Sequence, residues 1–212
     1  DRYLPRKFKI AIAIPPNNDV DVYTNDVGLI AIIEDNKLLG FNISIGGGLG
    51  TTHGNKDTYP RLGTVIGFTD TEEKTLKAIY EIITVQRDFG NRADRKQARL
   101  KYTIDKMGIE NFKAEVESRC GFKLDEARPH NFTDRTDHFG WHQNHEGKWY
   151  FTAFIENGRI VDEKVAIKTA LYEIAQTGKA NFRFTANQKL IVSDILPEHK
   201  SAIEKILVKY GM

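Results

Sequence analysis

The sequence predicts an α+β protein (α/β in its mixing of helices and sheets) made of two units, and three observations carry that prediction. After Trp149 the pattern runs strand, helix, strand, strand, helix, with Asn157-Gly158 at its first turn, an order of ferredoxin-like type. Ahead of it, apolar runs over 27–33 and 38–45 form a hairpin that is followed by helical periodicity. Between the two lies a polar stretch, Arg128-Pro129-His130-Asn131 and then 133–137, that reads as a linker. The expected division is 1–127 and 128–212.

Composition sets the frame. The 212 residues are 40% hydrophobic and 28% charged, enough to bury a core of ordinary size. A net charge of +2 is too small to argue for nucleic acid. No apolar run reaches the ~18 residues a membrane span needs, and no signal-peptide pattern opens the chain. The single cysteine, Cys120, excludes an internal disulfide framework and suits a reducing, cytoplasmic setting. The abrupt Asp1-Arg2-Tyr3 opening reads as a piece of a longer chain.

Taken in order, 8–14 alternates large and small apolar residues and stops at Pro15-Pro16, the pattern of a buried strand. Lys7 and Lys9 at its leading edge must share a face. Two ammonium groups side by side mark either a solvated strand end or an anion site. A polar connection over 17–26 leads into the hairpin, whose turn is Glu34-Asp35-Asn36-Lys37. The glycine-rich run that follows, Gly46 to Gly54, matches no phosphate-loop or dinucleotide fingerprint, yet its cost in chain entropy favours a functional loop.

Thr69 or Asp70 caps a helix to about Gln86, with Leu76, Ile79, Tyr80, Ile83 and Val85 as its buried face. A second helix opened by Asn91 or Asp94 would align Arg92, Arg95 and Arg99 on one side. That stripe is either a solvated face or a seat for carboxylates or phosphates; no aromatic residues interleave it for base stacking. A third helix spans 109–119 and ends at Cys120-Gly121. His138, His142 and His145 lack paired cysteines and read as loop histidines, so no metal ligand is assigned.

Several motifs together carry a resemblance. Tyr3-Leu-Pro-Arg-Lys-Phe-Lys9, Ile45-Gly-Gly-Gly-Leu-Gly50, His53-Gly-Asn-Lys56, Gln86-Arg-Asp-Phe-Gly-Asn-Arg92, Asp94-Arg-Lys96, Phe154-Ile-Glu-Asn-Gly-Arg-Ile160 and Thr185-Ala-Asn-Gln188 resemble the sulfite/nitrite reductase hemoprotein family, in the family's order. The resemblance implies a sirohaem/[4Fe–4S]-type domain over 1–127 without its ending, then a ferredoxin-like half-repeat. It implies six-electron reduction of sulfite to sulfide in sulfur assimilation and cysteine biosynthesis, at a sirohaem coupled to a [4Fe–4S] cluster.

By the same resemblance Lys7 and Lys9 are catalytic, facing the distal side of the sirohaem iron where they bind sulfite and help supply protons. Arg6, Gly47, Gly48, Asn55, Arg92, Arg99, Asn187 and Gln188 are implied cofactor contacts. The family's C-x5-C and C-x3-C cluster ligands are absent here, and Cys120 is not at their place. The isolated fragment is therefore expected to be inactive, with its basic side chains solvent-exposed and loop 46–50 poorly ordered. The implied partners are sulfite, an NADPH flavoprotein or ferredoxin as electron donor, and the remaining domains of the parent chain. Nitrite reduction is the alternative, disfavoured by Phe8-Lys9 where nitrite-reducing relatives tend to carry Trp-Asn. A non-enzymatic anion-binding module is the other.

Overall fold

The computed structural model describes residues 3–212. The chain divides into a first compact unit that ends at Thr136 and a second that runs from Asp137 to Met212. The first holds a four-stranded sheet, β1 Ile10–Ala13, β2 Val27–Glu34, β3 Lys37–Ile45 and β4 Thr64–Thr69, in the order β1-β2-β3-β4. β1 runs parallel to β2 and the remaining pairs are antiparallel. Asp35 and Asn36 turn the hairpin in left-handed conformations (φ 50° and 59°), which suit its twist.

Three helices pack on one face of this sheet: α1 Glu72–Phe89, α2 Leu100–Met107 and α3 Ile109–Cys120. Val27, Leu29, Ile43 and Ile45 from the sheet meet Ile82, Val85, Ile104 and Phe112 from the helices in a dry core. On the opposite face Ala13, Val22 and Ile30 form a smaller cluster under Tyr23 and Phe132.

Four expectations are corrected here. The first strand is shorter than 8–14 and lies at the sheet edge, so Ile10, Ile12 and Ile14 stay 44–57% exposed and give nothing to the helix-covered core. The α1 cap is Thr71, whose hydroxyl accepts from the Lys74 N–H at 3.2 Å; Asp70 pairs with Lys74 instead. The buried side of α1 runs through Thr75, Ala78, Glu81, Ile82, Val85 and Gln86, while Leu76 and Tyr80 face outward. Polar residues can line that side because they find partners: Glu81 accepts from Lys77 Nζ (2.6 Å) and the Thr84 hydroxyl (2.7 Å), and Gln86 Nε2 donates to the Ala98 carbonyl (2.9 Å). Finally, no helix carries the arginine stripe. Asp94 caps a short 3-10 turn at Arg95–Gln97, Arg99 is extended, and α2 starts only at Leu100. The third helix falls where its periodicity put it, closed by the left-handed Gly121 (φ 77°).

Residues 128–134, expected to open the second unit, are tied to the first. Arg128 N–H donates to Asn42 Oδ1 (2.9 Å) and Asn42 Nδ2 to the Arg128 carbonyl (2.7 Å). The His130 ring meets the Tyr23 hydroxyl at 2.7 Å, and Asn18 N–H donates to the Asp134 carbonyl at 2.8 Å.

The end of α1 is pinned to α3 through charge. Asp88 accepts from Arg87 Nε (2.6 Å) and Arg119 Nη1 (2.8 Å), which hold its carboxyl well below the usual carboxylate range. A folded pKa below the unfolded one means stability that is complete above about pH 4. It is lost as pH falls through the folded value. The urea midpoint is therefore expected to drop on acidification below about pH 4, and Asp88→Asn to flatten that drop.

The second unit places β5 Gly140–Gln143, β6 Trp149–Ala153, β7 Asn181–Phe184 and β8 Leu190–Ile195 in an antiparallel sheet of order β5-β6-β8-β7. Helices α4 Ile167–Gln176 and α5 Pro197–Lys209 supply Ile174, Ile203 and Leu207 to its core with Val192 and Ile195. The expected strand-helix-strand-strand-helix order is present, preceded by an additional strand. That strand, β5, carries His142, which stacks on Tyr150 at 5.4 Å and is not a loop residue. Among the described residues no helix is long and apolar enough to cross a membrane.

Candidate functional site

The loop after β3 is built by turning its carbonyls onto two of the chain's own cations, Arg61 and the buried Lys101. Gly46 takes up φ 80°, and its N–H donates to the Asp26 carbonyl at 2.8 Å; Gly47 N–H donates to the Asn25 carbonyl at 3.0 Å. Arg61 Nη1 reaches the carbonyls of Ile45 (3.2 Å), Gly46 (3.0 Å) and Leu62 (3.1 Å), while its Nε donates to Asp105 at 3.0 Å. Lys101 Nζ takes the carbonyls of Gly48 and Gly50, both at 3.0 Å, and of Tyr59. Lys101 is only 2% exposed, and burial first, then the Arg99 charge, lowers its ammonium pKa.

With the carbonyls facing in, the N–H groups of Leu49, Gly50 and Thr51 donate to no acceptor among the described residues. Gly46, Gly47 and Gly48 are buried. The chain's own cations, Arg61 and Lys101, brace this loop.

The glycines answer to the protein's own backbone. A methyl group on Gly47 would collide with the carbonyl oxygens of Tyr23 and Asn25, whereas one on Gly50 would meet nothing within 4 Å. Gly47→Ala is therefore expected to cost about 2 kcal/mol or more, in line with overpacking against fixed backbone, and Gly50→Ala close to nothing. Chemical denaturation of the two variants checks the contrast.

Asp26 joins the parts of the site. Its side chain is fully buried, and its carboxylate accepts from Arg99 Nε (3.1 Å) and Nη2 (2.8 Å). The same carboxylate accepts the Lys9 backbone N–H at 2.8 Å. The Lys9 carbonyl in turn accepts from Val27 N–H at 3.1 Å. Phe8 packs against the helix-side core, so alternation turns the Lys9 side chain to the other face of the sheet, with Ala11 and Ala13. Lys7 lies ahead of the paired strand; both lysines are exposed and Arg6 is half-buried. A side chain on Gly48 would rest 3.5 Å from Arg99 Nη2. Lys9 and Arg99 are thus joined through one buried carboxylate, with Gly48 beside Arg99.

The other expected residues stand apart from this hub. Asn55 shapes the loop's far end, its Oδ1 accepting from Asp57 N–H at 3.0 Å. Arg92 donates through Nη2 to the carbonyls of Tyr3 (2.6 Å) and Arg87 (2.9 Å) and stacks over the Tyr3 ring, so it anchors the segment leading to Lys7. Asn187 and Gln188 belong to the second unit, in the β7–β8 turn. There Asn187 Nδ2 donates to Asp137 Oδ1 at 3.0 Å, and Gln188 is exposed at φ 60°. Sequence reasoning missed Asp26, Arg61 and Lys101.

Among the described residues no three His, Cys, Asp or Glu side chains converge as a metal site. The Cys120 thiol, its pKa pushed up to about 11 chiefly by burial, is one sulfur donor. A [4Fe–4S] cluster takes four thiolates, so this donor set does not fit one.

Comparison with known proteins bears on this arrangement. Residues 1–124 match the domain described as the nitrite and sulphite reductase 4Fe-4S domain. The chain belongs to the nitrite and sulphite reductase family. Residues 142–210 match the family's ferredoxin-like half domain. Over its whole length the chain is 61% identical to the sulfite reductase [NADPH] hemoprotein beta-component of Leptospira biflexa, covering 38% of that protein. It is 52% identical to the same component from Geobacillus thermodenitrificans over 99% of the chain and 37% of that protein. The chain spans little more than a third of the length of the curated relatives it matches. Among solved structures, the NirA protein of Mycobacterium tuberculosis superposes with a TM-score of 0.77 at 27% identity, covering 99% of this chain and 37% of that one.

Proposed function

We propose that this chain is part of a sulfite reductase hemoprotein that passes six electrons to sulfite and yields sulfide. The observation that carries the reading is the attachment of the Lys9 backbone and Arg99 to the buried Asp26 carboxylate, and of the glycine loop to the same residue's backbone carbonyl, beside the exposed Lys7 and Lys9 side chains. Sulfite is a dianion when fully ionised, and Lys7 and Lys9 offset that charge. As its oxygens leave as water, the same ammonium groups are the chain's proton donors.

The parent's cofactors are a sirohaem and a [4Fe–4S] cluster, and the two fit this chain differently. Sirohaem carries carboxylates, and the exposed lysines, Arg6 and the Arg99 edge beside Gly48 suit them. When bound, sirohaem supplies the iron at which sulfite is reduced. The first unit is thus the sirohaem-side domain without its cluster ligands, which must come from elsewhere in the parent.

The electron donor is an NADPH-linked flavoprotein, in keeping with the names of the similar relatives, and the setting is cytoplasmic sulfur assimilation toward cysteine. Nitrite reduction is disfavoured by Lys9. Extracting the chromophore of the full-length protein tests the reading. An iron tetrapyrrole with eight carboxylates supports it; protohaem, or no tetrapyrrole, contradicts it.

A further inference from the structure

We propose that Asp26 is a positioning residue of the anion site: it fixes the Lys9 backbone, whose ammonium serves sulfite, and the Arg99 guanidinium, whose second edge serves a cofactor carboxylate. The inference rests on the sulfite reductase reading and assigns to this carboxylate a task that reading leaves open.

The geometry has three parts. Asp26 accepts three hydrogen bonds with a side chain that is 0% exposed, two from Arg99 and one from Lys9 N–H. Its backbone carbonyl accepts the Gly46 N–H at 2.8 Å. One residue therefore sets the spacing of the strand end, the glycine loop and the arginine.

Charge explains why the residue is an aspartate. A carboxylate buried this fully is stable only when paired and hydrogen-bonded, and the guanidinium meets it side-on through Nε and one Nη. Side-on pairing consumes one edge of the fork. The Arg99 Nη1 edge donates to no acceptor among the described residues, and the side chain remains 14% exposed. Asp26 thus orients an arginine whose second edge is left for an external anion.

A buried carboxylate takes donors beyond its ion-pair partner to satisfy its remaining lone pairs. Here the third hydrogen bond goes to the residue whose side chain is the exposed Lys9. Asparagine at position 26 would set its NH2 group against Arg99 Nε in one orientation, or against Arg99 Nη2 and the Lys9 N–H in the other; either way the guanidinium fork is broken and the Arg99 charge is left unpaired.

The test uses the full-length reductase with Asp26→Asn, and with Asp26→Asn combined with Arg99→Gln. Three readouts are followed: thermal midpoint, tetrapyrrole retained per chain after gel filtration, and KM and kcat for sulfite. Asp26→Asn is expected to lower the midpoint, to raise the sulfite KM at least tenfold and to cut tetrapyrrole retention severalfold. The double variant, with an amide pair in place of an unpaired charge, is expected to recover the midpoint while KM stays high and retention low. Loss of the midpoint alone, with KM and retention unchanged, would show a purely structural pair and overturn the proposal. So would recovery of KM and retention together with the midpoint in the double variant. A wild-type enzyme that turns over no sulfite overturns the functional reading, and this proposal with it.

Discussion

Lys9→Asn in the full-length enzyme is expected to lower sulfite turnover tenfold or more, the scale of losing one preorganised electrostatic contact to the reacting group. Nitrite turnover should fall less. Lys9 is suited to this test because its backbone is held at both ends, by Asp26 at its N–H and by Val27 at its carbonyl, whatever its side chain. The substitution therefore removes the charge and leaves the strand in place. Equal losses with sulfite and nitrite would mean that Lys9 contributes general positive charge and does not discriminate between the two anions.

Lys101→Met carries the second large effect, this time on stability. The methionine fills nearly the same volume but takes the donor from the carbonyls of Gly50 and Tyr59 and leaves that of Gly48 with the Arg61 N–H alone. Two part-buried acceptors left without this donor, and a third left with one, outweigh the relief of removing a buried charge. The expected cost is about 3 kcal/mol, within the range for breaking a buried charged contact. Urea unfolding measures it. A change under about 1 kcal/mol would show that the loop keeps its shape without the lysine. Sulfite turnover should fall with stability, since the loop borders Arg99.

Much of the architecture was legible because local chemistry and final structure agree. The hairpin turn at Asp35-Asn36, the end of α3 at Gly121 and the strand-helix order of the second unit each follow from residues whose torsions or periodicity leave few alternatives. The buried face of α1 was not legible, because Thr75, Glu81 and Gln86 are buried only by virtue of partners on other turns and segments. Apolar pattern alone pointed to Leu76 and Tyr80, which lie outward.

The candidate site divides in the same way. Lys7, Lys9 and the glycines stood out by composition and by family resemblance. Asp26 sat unnoticed in a polar connection, and Lys101 among solvated cations on a helix. Their role depends on pairs 73 and 51 to 53 residues apart in sequence, Arg99 with Asp26 and Lys101 with the loop carbonyls. Long-range pairing of that kind leaves no periodic trace. The arginine stripe failed for the converse reason: its spacing was helical but its backbone is not one α-helix, and Arg92 and Arg99 bind different partners.

The most direct measurement of the central claim compares the full-length protein with this 212-residue chain, each supplied with electrochemically reduced methyl viologen and sulfite. The full-length protein should consume six reducing equivalents per sulfite and release one sulfide, faster with sulfite than with nitrite at equal concentration. The 212-residue chain, whose donor set cannot hold the cluster, should release none. Sulfide production by this chain alone, or a full-length protein that leaves sulfite untouched, would contradict the account.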